Sequence, residues 1–216
     1  MRRPLSADVG RTQRVRPLHF CIVQAACGLA GAALAAPAGA WILTLTPGPK
    51  QLFLQVGVGT AAANNTTVNT VSVNVPAASV GNGTAQTMTS DSTQSISFFD
   101  NYAVCNPPGQ VYVGGSYRQP TATAGAATAT LQVTTPANLT SGADTIPFSQ
   151  ISWTSTANGN TTAHIPAGTF NGGTLLLANF GRNTFVENCF TYSYANSAVV
   201  PAGTFTGRAV FTLVVP

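Results

Sequence analysis

Acid–base and nucleophilic catalysis need side chains whose protonation can be tuned, and this sequence offers few of them. Beyond residue 40 the ionisable groups are Lys50, Arg118, Arg182, Arg208, His164, Asp91, Asp100, Asp144 and Glu187, with the tyrosines and two cysteines. His164 with Asp144 or Asp100 is the combination that could orient an imidazole beside a serine. Its place just before Ile165-Pro166 reads instead as an exposed loop. Asp144 and Glu187 could act as paired carboxylates in sugar hydrolysis, but nothing in the sequence places them together. Glu187, directly before Asn188-Cys189, reads as a group that caps a strand end or pairs with Arg182. No G-x-S-x-G, H-E-x-x-H, phosphate-binding glycine loop or calcium-loop pattern occurs. Two isolated cysteines and one histidine do not make a zinc ligand set. Neither catalysis, a metal nor a cofactor is expected.

The cysteines carry the other available chemistry. Four are present, and Cys21 and Cys27 fall in an apolar run from about Phe20 to Ala36 that follows five arginines. Arginines, apolar run and the small-x-small pattern Ala38-Gly39-Ala40 together read as a secretory signal peptide over residues 1–40. The expected cleavage follows Ala40, with a site near Ala36 as the alternative. Export leaves Cys105 and Cys189, and two thiols in an oxidising compartment are expected to pair. A ring of about eighty-five residues gives a loop-entropy contribution of roughly 4 kcal/mol.

The elements that must position these residues are strands. Only 6% of the residues are charged, against roughly 25% in an average domain. Thr, Val, Asn and Gly suit pleated strands and tight turns, and no helical period appears after residue 40. The net charge of +4 belongs to the leader, because the four cations and four anions after Trp41 cancel. No basic stripe remains for phosphates, so a nucleic-acid partner is not expected.

Residues 41–59 hold two apolar runs broken by Pro47-Gly48-Pro49. Val71, Val73 and Val75 alternate with polar residues as a half-buried strand would. Residues 92–105 and 110–118 read as further strands, as do ATLQVTT, FSQISWTS, GTLLLANF and CFTYSYANS. Residues 121–130 are low in complexity and fit strand or loop. Short strands at this density favour a β-sandwich or barrel. N-x-Ser/Thr sequons occur at Asn64, Asn65, Asn82, Asn138 and Asn160.

Pro166–Phe170 (PAGTF) recurs as Pro201–Phe205. In each copy proline fixes φ, glycine permits a bend, and Thr-Phe starts an extended run whose phenylalanine plugs the core. Trp153 is in phase with Ile151, and Tyr192 and Tyr194 with Phe190, which reads as core. Trp153, Tyr102, Tyr112, Tyr117, Tyr192 and Tyr194 could otherwise form a sugar-stacking platform, as in a secreted carbohydrate-binding module.

In the last segment Ala209, Phe211, Leu213 and Val215 alternate with Arg208, Val210, Thr212 and Val214, and Gly203 is fourteenth from the last residue. This pattern, in an exported, Thr/Asn/Gly-rich chain with one cysteine pair, resembles bacterial fimbrial (pilin-like) subunits of the chaperone–usher type. Gly203, Phe211 and Leu213 match that family's C-terminal motif. Val215 stands where the family has tyrosine, and the Cys105–Cys189 span is wider than its usual disulfide. The resemblance implies an immunoglobulin-like sandwich lacking its last strand, completed by a periplasmic chaperone and then by the N-terminal extension of another subunit. The subunit and strand-pairing residues it implies are Leu43, Leu45, Gly203, Ala209, Phe211 and Leu213.

The sequence thus divides into a signal peptide (1–40), an N-terminal extension or first strand (41–60) and a β-sandwich domain (61–216). It is expected to be an exported structural or adhesive surface subunit. Its partners would be other subunits, a chaperone and usher, and a surface glycan or host receptor. A secreted carbohydrate-binding module is the second expectation.

Overall fold

Alternating apolar and small polar residues build strands wherever one face can be covered. The computed structural model describes residues 50–59, 69–119, 127–158 and 162–215. The expected signal peptide, Leu43, Leu45, residues 121–126 and the sequons at Asn64, Asn65 and Asn160 lie outside the described residues. In chain order the strands are β1 (Gln51–Val56), β2 (Val71–Ser72), β3 (Gln86–Thr87), β4 (Thr89–Ser90) and β5 (Val111–Arg118). Then come β6 (Thr128–Thr134), β7 (Asn138–Ser141), β8 (Asp144–Pro147), β9 (Ile151–Ser155) and β10 (Gly168–Thr169). The last are β11 (Thr174–Gly181), β12 (Thr184–Tyr194) and β13 (Val210–Val214). The helical content among the described residues is two short 3-10 turns, Ala77–Ser79 and Phe148–Gln150. The protein is all-β, as its composition implies.

Among the described residues there are four antiparallel sheets, and the two largest face each other across one core, with the two-stranded pairs β2-β4 and β7-β8 beside them. The larger runs β1-β5-β12-β9-β10 with β3 also on β12, and the smaller runs β11-β6-β13. Val111, Val113 and Tyr117 of β5, Ile151 and Trp153 of β9, and Val186, Phe190 and Tyr192 of β12 cover one side of the core. Ala129, Leu131 and Val133 of β6, Leu177 and Phe180 of β11, and Leu213 of β13 cover the other. Each large apolar side chain buried this way contributes about 1.5–3 kcal/mol. Gly115 sets the closeness of the layers, since a Cβ there would lie 2.7 Å from the Phe180 ring. A bulge between Leu176 and Ala178 leaves Leu177 without a partner on β6. The extra residue shifts the alternation, so Leu177 and Phe180 both turn inward.

The two PAGTF copies are used differently. In the first, Gly168 and Thr169 pair with Trp153 and Ser152 of β9, and Phe170 is buried against Trp153 at 4.9 Å and Phe148 at 5.2 Å. Here the glycine is needed for contact, because a Cβ would sit 2.6 Å from the Trp153 ring. In the second, Thr206 bridges Thr140 of β7 and Phe205 is half-buried, while β13 starts only at Val210.

Three expectations are corrected. Residues 92–105 do not form a strand; one bridge, Ile96 to Ala103, closes a turn there. Ser97 Oγ accepts from the Phe99 N–H and Asp100 Oδ1 from the Tyr102 N–H, and Asn101 takes φ 63°. These local bonds outcompete strand pairing. Of the valine alternation only Val71–Ser72 is a strand, although Val73 and Val75 still pack on the core. Finally, β12 begins at Thr184 rather than Cys189, because its polar residues have partners: Asn188 accepts from the Ile165 N–H and donates to the Thr156 carbonyl.

Candidate functional site

The C-terminal strand is an edge. In the order β11-β6-β13 the strand β13 is hydrogen-bonded to β6 alone among the described residues, with Phe211 opposite Val133 and Leu213 opposite Leu131. Leu213 is buried, and Phe211 and Ala209 are half-buried against the core. Val210 and Val214 are 48% and 39% exposed on the other face. On the same flank β1 ends the larger sheet, with Leu54 and Val56 packed on the core and Leu52 exposed. Among the described residues two edges with no further strand therefore lie on one flank, with β13 beside β1. Gly203 is exposed and packs near Ser141, before β13 begins.

A second feature lies on the larger sheet. The segment from Ser92 to Cys105 lies over the outer face of the larger sheet as a flap, and the Cys105–Cys189 disulfide fastens it to β12 (Cα–Cα 5.6 Å). Beneath it Tyr112 is fully buried, and its hydroxyl donates to Glu187 Oε2 at 2.9 Å. Burial, with the Glu187 carboxylate second, pushes the Tyr112 hydroxyl well above the usual tyrosine range. Glu187 thus bonds Tyr112, rather than pairing with Arg182 or capping a strand end.

The flap presents aromatic side chains outward. Phe98 stacks on Phe53 of β1 at 4.8 Å, and Phe99 stacks on Phe185 of β12 at 5.0 Å. Even so, Phe98 is 55% exposed, Phe99 72% and Tyr102 74%. Beside Phe99 and Phe185 opens a cavity of about 370 Å³, completed by Ser116, Arg118, Asn183 and Thr184 at the end of β5 and β12. Contiguous exposed aromatics on a polar chain make this face a candidate interaction surface. The sequence signal is the Phe98-Phe99 pair inside a run of strand composition, where Ser97 and Asp100 turn the chain by bonding the N–H two residues on.

The residues that could have done chemistry are spread over separate elements. His164 is exposed in the loop before β10, Asp100 is on the flap, and Asp144 is on the β7–β8 hairpin. Among the described residues no cluster of three or more His, Cys, Asp or Glu could hold a metal ion. Trp153 is only 4% exposed, and Tyr112, Tyr117, Tyr192 and Tyr194 are buried, so these rings form no sugar platform. No described helix is long and apolar enough to cross a membrane. The disulfide is compatible with export. No family model, curated protein or solved structure matches the chain at a significant level.

Proposed function

We propose that the protein is an exported structural or adhesive surface subunit, an immunoglobulin-like, pilin-like sandwich that assembles by β-strand pairing. The observation that carries the reading is β13: an edge strand paired on one side, with apolar residues on both faces. Long apolar edges invite another strand unless they are covered. In the proposed assembly the donor is the segment Trp41–Thr46 of another copy, where Trp41, Leu43 and Leu45 alternate with Ile42, Thr44 and Thr46. Main-chain bonds along β13 supply affinity, and alternate apolar side chains enter the gap toward Phe211 and Leu213. Before assembly a periplasmic chaperone would hold the same edge, and an usher would exchange it.

The test is deletion of residues 41–46 from the exported form. The proposal expects an intact monomer fold and loss of polymers seen by electron microscopy and sedimentation. Full-length protein that stays monomeric at all concentrations, with or without a chaperone, would contradict it.

A second reading, a secreted carbohydrate-binding module, draws on the outward rings of Phe98, Phe99 and Tyr102 rather than on Trp153. Glycan-array binding lost on Phe99→Ala but kept in the 41–46 deletion would favour it over the first.

A further inference from the structure

Four phenylalanines stack across the outer face of the larger sheet. Phe53 of β1 and Phe185 of β12 both stand opposite Ser116 of β5, so the three share one row on that face. The flap adds a ring to each phenylalanine of the row. Phe98 lies on Phe53 at 4.8 Å, Phe53 on Phe185 at 6.1 Å and Phe99 on Phe185 at 5.0 Å, each pair 25° from parallel. Phe99 is thus held in place although 72% exposed, and the Cys105–Cys189 disulfide fastens the flap that carries it. A ring fixed beforehand loses little freedom when a ligand covers it.

The cavity beside this stack is rimmed by hydrogen-bond donors. Ser116 and Arg118, two apart on β5, share the outer face, and the Arg118 guanidinium has no partner among the described residues. In the β11–β12 turn the Asn183 N–H donates to the Tyr117 carbonyl at 2.6 Å, and Asn183 Oδ1 accepts from the Gln119 N–H at 3.1 Å. The Asn183 amide nitrogen is left to donate. Among the described residues no carboxylate lines the cavity. Asp100, next to Phe99, accepts from the Tyr102 N–H, and Glu187, two positions beyond Phe185, is bonded to Tyr112.

We infer that the cavity is a subsite for an anionic sugar residue, with the pyranose ring against Phe99 and Phe185 and its acid group on Arg118. The C–H face of a pyranose is apolar and packs on the negative face of an aromatic ring. Its hydroxyls meet Ser116 and Asn183, and a planar guanidinium takes a carboxylate or sulfate through paired hydrogen bonds. An apolar ligand would cover these donors without satisfying them. Beyond residue 40 the formal charges cancel, so an unpaired cation with no carboxylate beside it gives this one place a local positive potential. The volume of about 370 Å³ falls in the range of small-ligand pockets, about 300–1,000 Å³. The inference rests on the second reading above, a sugar-binding surface, and adds the charge of the sugar and its place.

The test titrates the exported form with trigalacturonate, its methyl ester and a sulfated galactose trisaccharide, followed by calorimetry and amide NMR shifts. At low salt at least one of the two anionic sugars should bind about three- to fivefold tighter than the ester, the most an exposed ion pair gives. Which of them does so names the acid group. Shifts should centre on Ser116, Asn183 and Thr184. Arg118→Gln should erase the preference, and so should about 0.5 M salt on the parent chain, an arm that needs no variant. Arg208→Gln, just before β13, removes the same charge elsewhere and should preserve it. Phe99→Ser should weaken the anionic sugars and the ester alike. Equal binding of all three sugars to the parent chain overturns the inference and leaves a neutral sugar-binding surface standing. Binding of none overturns both. A preference that survives high salt or Arg118→Gln, or shifts confined to other faces, also overturns the inference.

Discussion

Gly168 and Gly203 occupy the same place in a repeated motif, yet the structure assigns them opposite sensitivities to a single methyl group. At Gly168 an added Cβ would lie 2.6 Å from Trp153 Cζ2 and 2.8 Å from Cη2. Ordinary contact begins near 3.4 Å, so the indole would have to retreat by about 0.8 Å. It cannot easily do so. Phe170 at 4.9 Å and Phe190 at 5.6 Å flank the ring, and its Nε1–H donates to the Pro166 carbonyl at 3.0 Å. Overpacking of this kind costs about 1–3 kcal/mol. At Gly203 the nearest atom is Ser141 Oγ, which can rotate away, and the position is exposed. The approach is as close as 2.5 Å, but rotation of the Ser141 hydroxyl relieves it, and alanine there also narrows the unfolded ensemble, a stabilisation of about 0.4–1 kcal/mol. Urea unfolding of Gly168→Ala and Gly203→Ala is the assay. With m near about 2 kcal/mol/M for a domain of this size, Gly168→Ala should lower the midpoint by about 0.5–1.5 M and Gly203→Ala by less than about 0.3 M. Equal shifts, or a larger shift for Gly203→Ala, would refute the packing argument.

Replacing both Cys105 and Cys189 by alanine should cost roughly 2–4 kcal/mol and speed amide hydrogen exchange at Phe98–Tyr102 while Leu131 and Phe190 stay protected. Lysines at Val210 and Val214 should leave monomer stability within about 0.5 kcal/mol and abolish polymers, as sedimentation would show, because charge on an exposed edge blocks strand addition. Alkali should unfold the protein early. Burial raises the Tyr112 and Tyr192 hydroxyls above the ordinary value near 10, so both stay protonated in the folded state while the unfolded state ionises. Their stabilisation is complete below about pH 10 and is lost as pH rises beyond it, at about 1.4 kcal/mol per pH unit for each group. Urea midpoints between pH 9 and 11.5 measure it, and Tyr112→Phe should remove Tyr112's share of the slope.

Period-two alternation was legible wherever one face is covered. Phe190, Tyr192 and Tyr194 of β12 read as a buried face from spacing alone, and the structure buries them; the strand ATLQVTT was legible too, and its Ala129, Leu131 and Val133 are buried. The Cys105–Cys189 pair was legible for a different reason: only two of the four cysteines lie beyond the expected signal peptide. What local pattern hid was side-chain competition for the backbone. Ile96-Ser97-Phe98-Phe99 has strand composition, but Ser97 and Asp100 each hold an N–H two residues on and turn the chain, so the phenylalanines end on the surface. The role of Glu187 was hidden as well, because its partner Tyr112 is seventy-five positions away and meets it only through the β5–β12 register. The repeat was visible, but its asymmetry depends on Trp153 facing one copy and Ser141 the other, contacts that only the tertiary structure sets.

Strand addition at β13 can be measured directly by hydrogen exchange on the monomer lacking residues 41–46, with and without a synthetic peptide of those six residues. The account predicts saturable binding that slows exchange at the outward-facing amides of Val210–Val214 and leaves the far edge at β10 unchanged. Binding that protects no amide of β13, or no binding at millimolar peptide, would contradict it.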